Sequence, residues 1–173
     1  YPGHPAGKAK KYVRMTGTRR RGHELAISDG TFLDGCSIET DATFVGAACL
    51  RIIEFWSETF GATSTIRPHW GDHLMAVYEI APQLIVKDVI GGGEAYVNRF
   101  WGTRVTTALG IDASRKRLED YYSPRHVAQL RKLYELTFSQ RKPVKIGGNA
   151  VFFEGRDYVR FESVQLPLYV ADG

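Results

Sequence analysis

The feature that most restricts the fold is a pair of β-rich segments separated by three consecutive glycines. Residues 84–89 are rich in valine and isoleucine, and Ala95–Trp101 follows after Gly91, Gly92 and Gly93. β-branched and aromatic residues favour strands, and glycines between two such runs favour a turn. The pattern therefore predicts an antiparallel hairpin.

A second hairpin is predicted towards the end of the chain. Residues 144–153 have the composition of a strand that is interrupted at Gly147 and Gly148. Residues 154–157 then indicate a turn, and residues 158–166 alternate with a period of two. The two faces of this last segment are both mixed in character, so the pattern does not indicate which face is buried.

Helical patterns lie between the two hairpins. Residues 103–110 predict a short helix. Ser123 followed by Pro124 is a strong helix start, because serine caps free backbone N–H groups and proline suits the first helical position. The apolar spacing that follows predicts a helix to Gln140, since Pro143 cannot continue it.

A leading helix is predicted over residues 41–60, before the first hairpin. Asp41 is placed to cap it, and apolar residues then recur at steps of three and four. This apolar stripe includes Val45, Ile52, Trp56 and Phe60. A shorter helix is predicted over residues 72–79.

The order of these elements predicts an α+β domain in which helices pack on one face of an antiparallel sheet. We divide the chain into a basic, weakly ordered arm and linker (1–40), leading helices (41–80) and a sheet-containing core (81–173). At 173 residues with 43% hydrophobic and 24% charged residues, the chain has the composition of one globular domain. No apolar run reaches the ~20 residues that a membrane span needs.

Charge and cysteine content restrict the partners and the compartment. Seven basic residues lie within residues 1–24 against one acidic residue, Glu24, whereas the whole chain carries only +4. This arm suggests one alternative function, a nucleic-acid adaptor, although no recognition helix or RNA-binding motif accompanies it. Cys36 and Cys49 cannot form a disulfide framework, so we expect a reducing, cytoplasmic environment.

Four short motifs in the predicted order make the chain resemble a PAS sensory domain, and more narrowly the small stand-alone bacterial PAS-like proteins. The resemblance covers about residues 42–173. The motifs are Glu54-Phe55-Trp56, Arg99-Phe100-Trp101-Gly102-Thr103, Gly110-Ile111-Asp112-Ala113-Ser114 and Leu166-Pro167-Leu168.

The resemblance implies a PAS-like antiparallel sheet, nominally of five strands, with helices on one face and a leading N-terminal helix. The fifth strand would follow Leu168, but the sequence stops at Gly173. Residues 11–15 of this chain or of a second copy are a candidate for that position. The resemblance also implies a homodimer that uses Val45, Ile52, Trp56 and Phe60 of the leading helix.

Aromatic density is the best indication of a binding site, because rings with a few polar tips suit a small apolar or planar ligand. The alternative is that these rings only fill the core. Asn98 or Arg99 could add a polar contact, with Arg99 expected to face solvent. The candidate cavity residues are Tyr96, Phe100, Trp101, Tyr122, His126, Leu130, Tyr134, Phe153 and Phe161.

No cofactor is indicated by the residues themselves. The resemblance permits haem on His126, but a histidine in a first helical turn is more often exposed or part of a cap. Residues 103–142 contain no cysteine, which excludes cysteine-based flavin photochemistry and leaves plain flavin binding open. His69 and His73 have metal-ligand spacing but no evident third ligand, so no metal site is predicted.

We therefore expect a PAS-like sensory or signalling domain that binds a small ligand or a partner protein and has no catalytic activity. No nucleophile–base arrangement is evident in the sequence. Output would pass through dimer packing or an unidentified signalling partner, without a membrane. The alternatives are a small cavity-containing enzyme or carrier, and a nucleic-acid adaptor that uses the basic arm.

Overall fold

The computed structural model describes residues 34–40, 43–60, 65–66, 70–151 and 153–170. The basic segment 1–24, the candidate edge segment 11–15, Asp41 and His69 lie outside the described residues. Among the described helices, none is both long enough and apolar enough to cross a membrane.

The described residues form a mixed α+β structure, as the sequence predicted. The strands in chain order are β1 (Cys36–Glu39), β2 (Thr65–Ile66), β3 (Ile85–Ile90), β4 (Ala95–Trp101), β5 (Val144–Asn149), β6 (Arg160–Gln165) and β7 (Tyr169–Val170). The helices are α1 (Ala47–Phe60), α2 (Trp70–Met75), α3 (Thr103–Leu109) and α4 (Pro124–Gln140). Single 3₁₀ turns occur at Ala81–Gln83 and Leu118–Asp120.

Both predicted hairpins are confirmed. β3 and β4 pair antiparallel on either side of the glycine loop, and β5 and β6 pair antiparallel further along the chain. The outer edge of β4 is partly covered by residues 115–117, because Asn98 N donates to Lys116 O and Arg115 N donates to Asn98 O. This covering holds the segment between α3 and α4 against the first hairpin.

The third strand of the second sheet comes from a segment that the sequence analysis assigned to a linker. β1 pairs antiparallel with β5, with Cys36 opposite Gly148 and Glu39 opposite Lys145, so the strand order is β1-β5-β6. The prediction of an arm and linker over residues 1–40 is therefore wrong at Cys36–Glu39. The four residues are too few to show a reliable alternation, and they gain their order from β5.

The helices between the hairpins begin and end where their caps predict. The Ser123 side chain accepts a hydrogen bond from His126 N at the start of α4, and the helix ends at Gln140. α3 ends at Gly110, whose φ of 74° lies in the left-handed region that side chains rarely adopt. Glycine at this position therefore lets the chain leave the helix without strain.

The leading helix begins later than predicted, because its cap is a tertiary contact. α1 starts at Ala47, and the Glu162 carboxylate of β6 accepts hydrogen bonds from Gly46 N (2.7 Å) and Val45 N (3.3 Å). A carboxylate from another strand thus replaces the local aspartate cap expected at residue 41. α2 covers Trp70–Met75, whereas the predicted helix ran over residues 72–79.

Two groups of buried side chains hold the elements together. The first, which we call the interior cluster, joins α4 to both hairpins and contains Cys36, Tyr96, Leu118, Val127, Leu130, Leu133, Tyr134, Val144 and Ile146. The second, the helix cluster, packs α1 against the segment before β3 and contains Phe55, Trp56, Phe60, Val77 and Ile80. The helix over residues 124–140 therefore packs on the sheets, as expected.

Most side chains of the predicted dimer face pack within the chain itself. Trp56 and Phe60 are buried, and Ile52 packs against the helix cluster. Trp56 Nε1 also donates to the Pro167 carbonyl at 3.0 Å. Val45, which is 86% exposed, is the member of this set that remains available to a partner.

The five-stranded sheet that the resemblance implies is not seen among the described residues, which form a three-stranded sheet, the β3–β4 hairpin and a short parallel pair of β2 with β7. Helix α1 lies against β6 instead, where the Cys49 thiol is 3.7 Å from the Glu162 carbonyl oxygen. Strand carbonyls point along the plane of a sheet, so this contact places α1 beside the strand edge.

Candidate functional site: an amine among aromatic side chains

The predicted cavity residues largely come together, but they pack against one another. Tyr96 and Tyr134 have ring centres 4.8 Å apart, and Tyr122 lies 5.1 Å from Phe153. Leu130 belongs to the same interior cluster, and Phe161 packs against it. The alternative reading, in which these side chains fill the core, therefore applies to most of the set.

A bulge in β4 explains why Phe100 and Trp101 differ. The register of the hairpin shifts so that Arg99 is the extra residue in β4. Asn98 and Trp101, on either side of the shift, are both buried, whereas Phe100 is only partly buried. Because neighbouring strand residues point to opposite faces, Phe100 faces away from the interior that Trp101 enters.

His126 is placed beside polar groups. Its Nδ1 lies 3.1 Å from Ser123 Oγ, and its Nε2 lies 3.5 Å from an Asp34 carboxylate oxygen. Asp34 also accepts a hydrogen bond from Arg125 at 2.8 Å. This group ties the turn before β1 to the first turns of α4, where Ser123 already serves as the helix cap.

The described part of the chain contains no group of three or more histidine, cysteine, aspartate or glutamate side chains that could hold a metal ion. His73 lies against rings of the helix cluster, 5.1 Å from Phe60 between ring centres.

The most unusual polar group in the interior is the side chain of Lys87. Its Nζ donates to Asn98 Oδ1, lies 3.4 Å from the Tyr121 hydroxyl and stands 5.6 Å from the centre of a Trp101 ring. Asn98 is 1% exposed and donates from Nδ2 to Tyr121 OH (3.0 Å) and to the Ala113 carbonyl (2.8 Å). We call Lys87, Asn98, Trp101 and Tyr121 the amine cluster.

The surroundings of Lys87 favour its uncharged form. None of the described carboxylates forms an ion pair with it, and burial lowers the pKa of Lys87 to about 7. Burial raises the pKa of Tyr121 to about 12, so the phenol keeps its proton. A neutral amine can donate to Asn98 and accept from the phenol, and the phenol oxygen can accept from Asn98. All three groups are then satisfied without an unpaired buried charge.

A surface groove lies next to the amine cluster. It has a volume of about 280 Å³ and is lined by Glu119, Tyr122, Pro124, Val127, Ala128 and Arg131. Tyr122 connects the two features, because its ring centre is 4.4 Å from that of Tyr121. A ligand in the groove would therefore contact a ring that packs on the amine cluster.

One wall of the groove is fixed by Arg131 of α4. Its guanidinium donates to the carbonyls of Gly93 (2.9 Å) and Glu94 (2.8 Å) and to the Glu119 carboxylate (2.7 Å). These bonds connect α4 to the glycine loop and to the segment that carries Tyr121.

Sequence reasoning predicted part of the amine cluster and missed its central residue. The expectation that Arg99 faces solvent is confirmed, since it pairs with Asp88 at 2.7 Å on the exposed side of the hairpin. Asn98 does supply an interior polar contact. Lys87 was not singled out, although the hairpin register, which places it opposite Asn98, was the available signal.

Comparison with known proteins does not assign the chain to a family. No model of a known protein family matches it, and no curated protein and no solved structure gives a significant match.

Proposed function

We propose that the protein is a PAS-like sensory domain that binds a small apolar or planar ligand and does not catalyse a reaction. The proposal begins from the order of elements, in which two antiparallel hairpins flank a run of helices and α4 packs across both. The same order and the four short motifs underlie the resemblance described above.

The motif residues have structural roles, which is consistent with a shared scaffold. Gly102 starts α3 where a Cβ atom would overlap the backbone of Pro82, so only glycine fits there without a shift. Pro167 is fully buried and accepts the hydrogen bond from Trp56. These contacts join the leading helix, the first hairpin and the end of the described chain.

The observation that carries the ligand-binding proposal is the amine cluster beside an open groove. A partly buried amine without a counter-charge is costly for a protein that uses it only as packing. Aromatic rings around a few polar groups are also the usual lining of a small-molecule site. The groove and the amine cluster meet at Tyr122, which supplies the route by which occupancy could affect the interior.

The output is proposed to pass through α1 to a second copy of the chain or to a partner protein. Val45, which precedes α1, and Leu50 of α1 are exposed apolar side chains, and the start of α1 is held by Glu162 of β6. We also propose a reducing, cytoplasmic location, supported by the free thiols of Cys36 and Cys49. Light scattering on the full chain, alone and with ligand, tests the oligomeric part of the proposal.

Ligand binding is tested by native mass spectrometry and absorption spectroscopy of the purified chain, followed by thermal unfolding with indole and naphthalene as probes. We expect a probe to raise the melting temperature of the wild type. Ala128→Trp should fill the groove and abolish the shift, whereas Ala108→Trp, on an exposed part of α3, should keep it. No co-purified ligand and no shift with either probe would contradict the proposal.

A further inference from the structure

We infer that the amine of Lys87 is a nucleophile that captures small aldehydes as an imine. The inference rests on the proposed ligand-binding role of the same interior and names the chemical class of the ligand. It is carried by the arrangement of the amine cluster around one nitrogen atom.

The first step of the argument is the contrast between Lys87 and Lys145. Lys145 Nζ lies 3.3 Å from the Glu162 carboxylate and donates to the Thr43 carbonyl at 2.8 Å, so its charge is matched. Lys87 has an amide oxygen, a phenol and an indole ring as its neighbours. An amine that is desolvated among neutral groups loses its proton easily and becomes nucleophilic.

The second step is the position of the neighbouring groups. Asn98 Oδ1 accepts a hydrogen from the amine and so directs the nitrogen lone pair away from itself. The Tyr121 hydroxyl is 3.4 Å from the nitrogen, a long contact that an entering carbonyl oxygen can replace. The phenol is then placed to donate its hydrogen to that oxygen as the nitrogen attacks the carbon.

The reaction needs no oxidant or reductant. The Nζ–carbon bond forms as the carbonyl π bond breaks, and a proton moves from nitrogen to oxygen to give a carbinolamine. The carbon–oxygen bond then breaks, and the hydroxyl leaves as water with the second amine proton. One aldehyde and one amine give one imine and one water, and Tyr121 ends with the proton that it began with.

The electrostatics of the site favour this product. A neutral imine places no unpaired charge among Trp101 and Tyr121, so it avoids the cost that a protonated amine meets there. Lys87 is partly buried rather than enclosed, which allows a small molecule to reach it. The tight ring packing around it favours aldehydes with few heavy atoms.

The test is reductive trapping on the folded full chain. The protein is treated at pH 7 with low equivalents of acetaldehyde, samples are quenched at intervals with sodium borohydride, which reduces neutral imines, and each ethylated lysine is located by peptide mass mapping. We expect Lys87 to react at least ten times faster than the exposed Lys116 and Lys132 and the carboxylate-paired Lys145. Mapping also separates Lys87 from the N-terminal amine, which has a low ordinary pKa of about 8.

Two controls make the outcome decisive. In urea, the preference for Lys87 should disappear, because it depends on the folded cluster. Tyr121→Phe keeps the ring but removes the hydroxyl, and it should slow labelling of Lys87 several-fold while leaving Lys132 unchanged. If Lys87 in the folded wild type reacts no faster than the exposed lysines, the inference is wrong, and indole or naphthalene binding would still stand as evidence for the proposed function.

Discussion

At the scale of single residues, the buried Asn98 side chain connects three polar groups of the interior by hydrogen bonds. Its side-chain amide contacts a backbone carbonyl, a phenol and the Lys87 amine, and it is almost fully buried. Buried polar groups remain tolerable only while their hydrogen bonds are made. Removing this amide would leave several partners unsatisfied at once.

Asn98→Ala is expected to lower the free energy of unfolding by about 2 to 3 kcal/mol, because buried partners lose their hydrogen bonds. Urea unfolding at pH 7.5 measures the change. The matched control is Arg99→Ala on the same strand, which removes an exposed ion pair and should cost less than about 1 kcal/mol. Equal effects of the two substitutions would contradict the role assigned to Asn98.

The free energy of unfolding should depend on pH because folding lowers the pKa of Lys87. Its pKa is about 7 in the folded chain and near 10.5 when unfolded, so the unfolded state binds the additional proton between these values. Stability therefore rises with pH across this window and is lost as pH falls towards 7. Urea unfolding of wild type and Lys87→Met at several pH values should show the wild type gaining stability relative to the variant as pH rises from 7 towards 10.5. Parallel curves would show that Lys87 keeps its ordinary pKa.

The residue-scale site was only partly predictable from the sequence. Aromatic composition correctly indicated where rings would gather, and strand alternation correctly separated Asn98 from Arg99. Because of the bulge at Arg99, Phe100 points to the face of the hairpin opposite to Asn98 and Trp101. A one-residue irregularity of this kind leaves no periodic signal in the sequence. Lys87 was missed because a lysine in a strand is ordinarily expected at the surface.

At the scale of secondary-structure elements, α1 depends on a carboxylate from a distant strand. The Glu162 carboxylate accepts from Gly46 N and Val45 N, directly before α1, and lies 3.3 Å from Lys145 Nζ. The hydrogen bond from Gly46 is the main cause that lowers the pKa of Glu162. The start of the helix is therefore set by β6 rather than by residues next to it in sequence.

Glu162→Gln is expected to loosen the first turn of α1, because a neutral amide is a weaker acceptor for backbone N–H groups at a helix start. Hydrogen exchange should become faster at Val45 and Gly46, which donate to Glu162, and at Leu50, which donates to the Gly46 carbonyl, and it should remain unchanged in α4. Glu58→Gln, on an exposed part of the same helix, is the matched control. If exchange at Val45, Gly46 and Leu50 does not respond, the capping role of Glu162 is wrong.

This capping arrangement also shows which element boundaries a sequence can predict. α4 was predicted with its observed ends because Ser123, Pro124 and Pro143 act locally. The start of α1 and the strand β1 could not be predicted in the same way, because each is determined by a partner more than 100 residues away along the chain.

At the scale of the whole molecule, two separate clusters of buried side chains stabilise the fold. The interior cluster joins α4 to the hairpins, and the helix cluster holds α1 against the segment before β3. The Trp56–Pro167 hydrogen bond ties the helix cluster to the end of the described chain. Trp56 is therefore a packing residue, in contrast to the dimer contact that the resemblance implied.

Trp56→Ala is expected to lower the free energy of unfolding by about 3 to 5 kcal/mol, since it leaves a large cavity and an unpaired carbonyl. Thermal unfolding followed by circular dichroism measures this loss. Leu50→Ala, at a half-exposed position of the same helix, should change stability by no more than about 0.5 kcal/mol. A mild effect of Trp56→Ala would mean that the helix cluster contributes little.

The pairing of Cys36–Glu39 with β5 has a practical consequence for how the domain is delimited. A fragment that begins at residue 41, where the leading helix was first predicted, would strip the outermost strand from its sheet. The exposed edge of β5 would then present unpaired backbone N–H and C=O groups to neighbouring chains. Such a shortened species should self-associate at concentrations where a version starting at residue 34 stays dispersed.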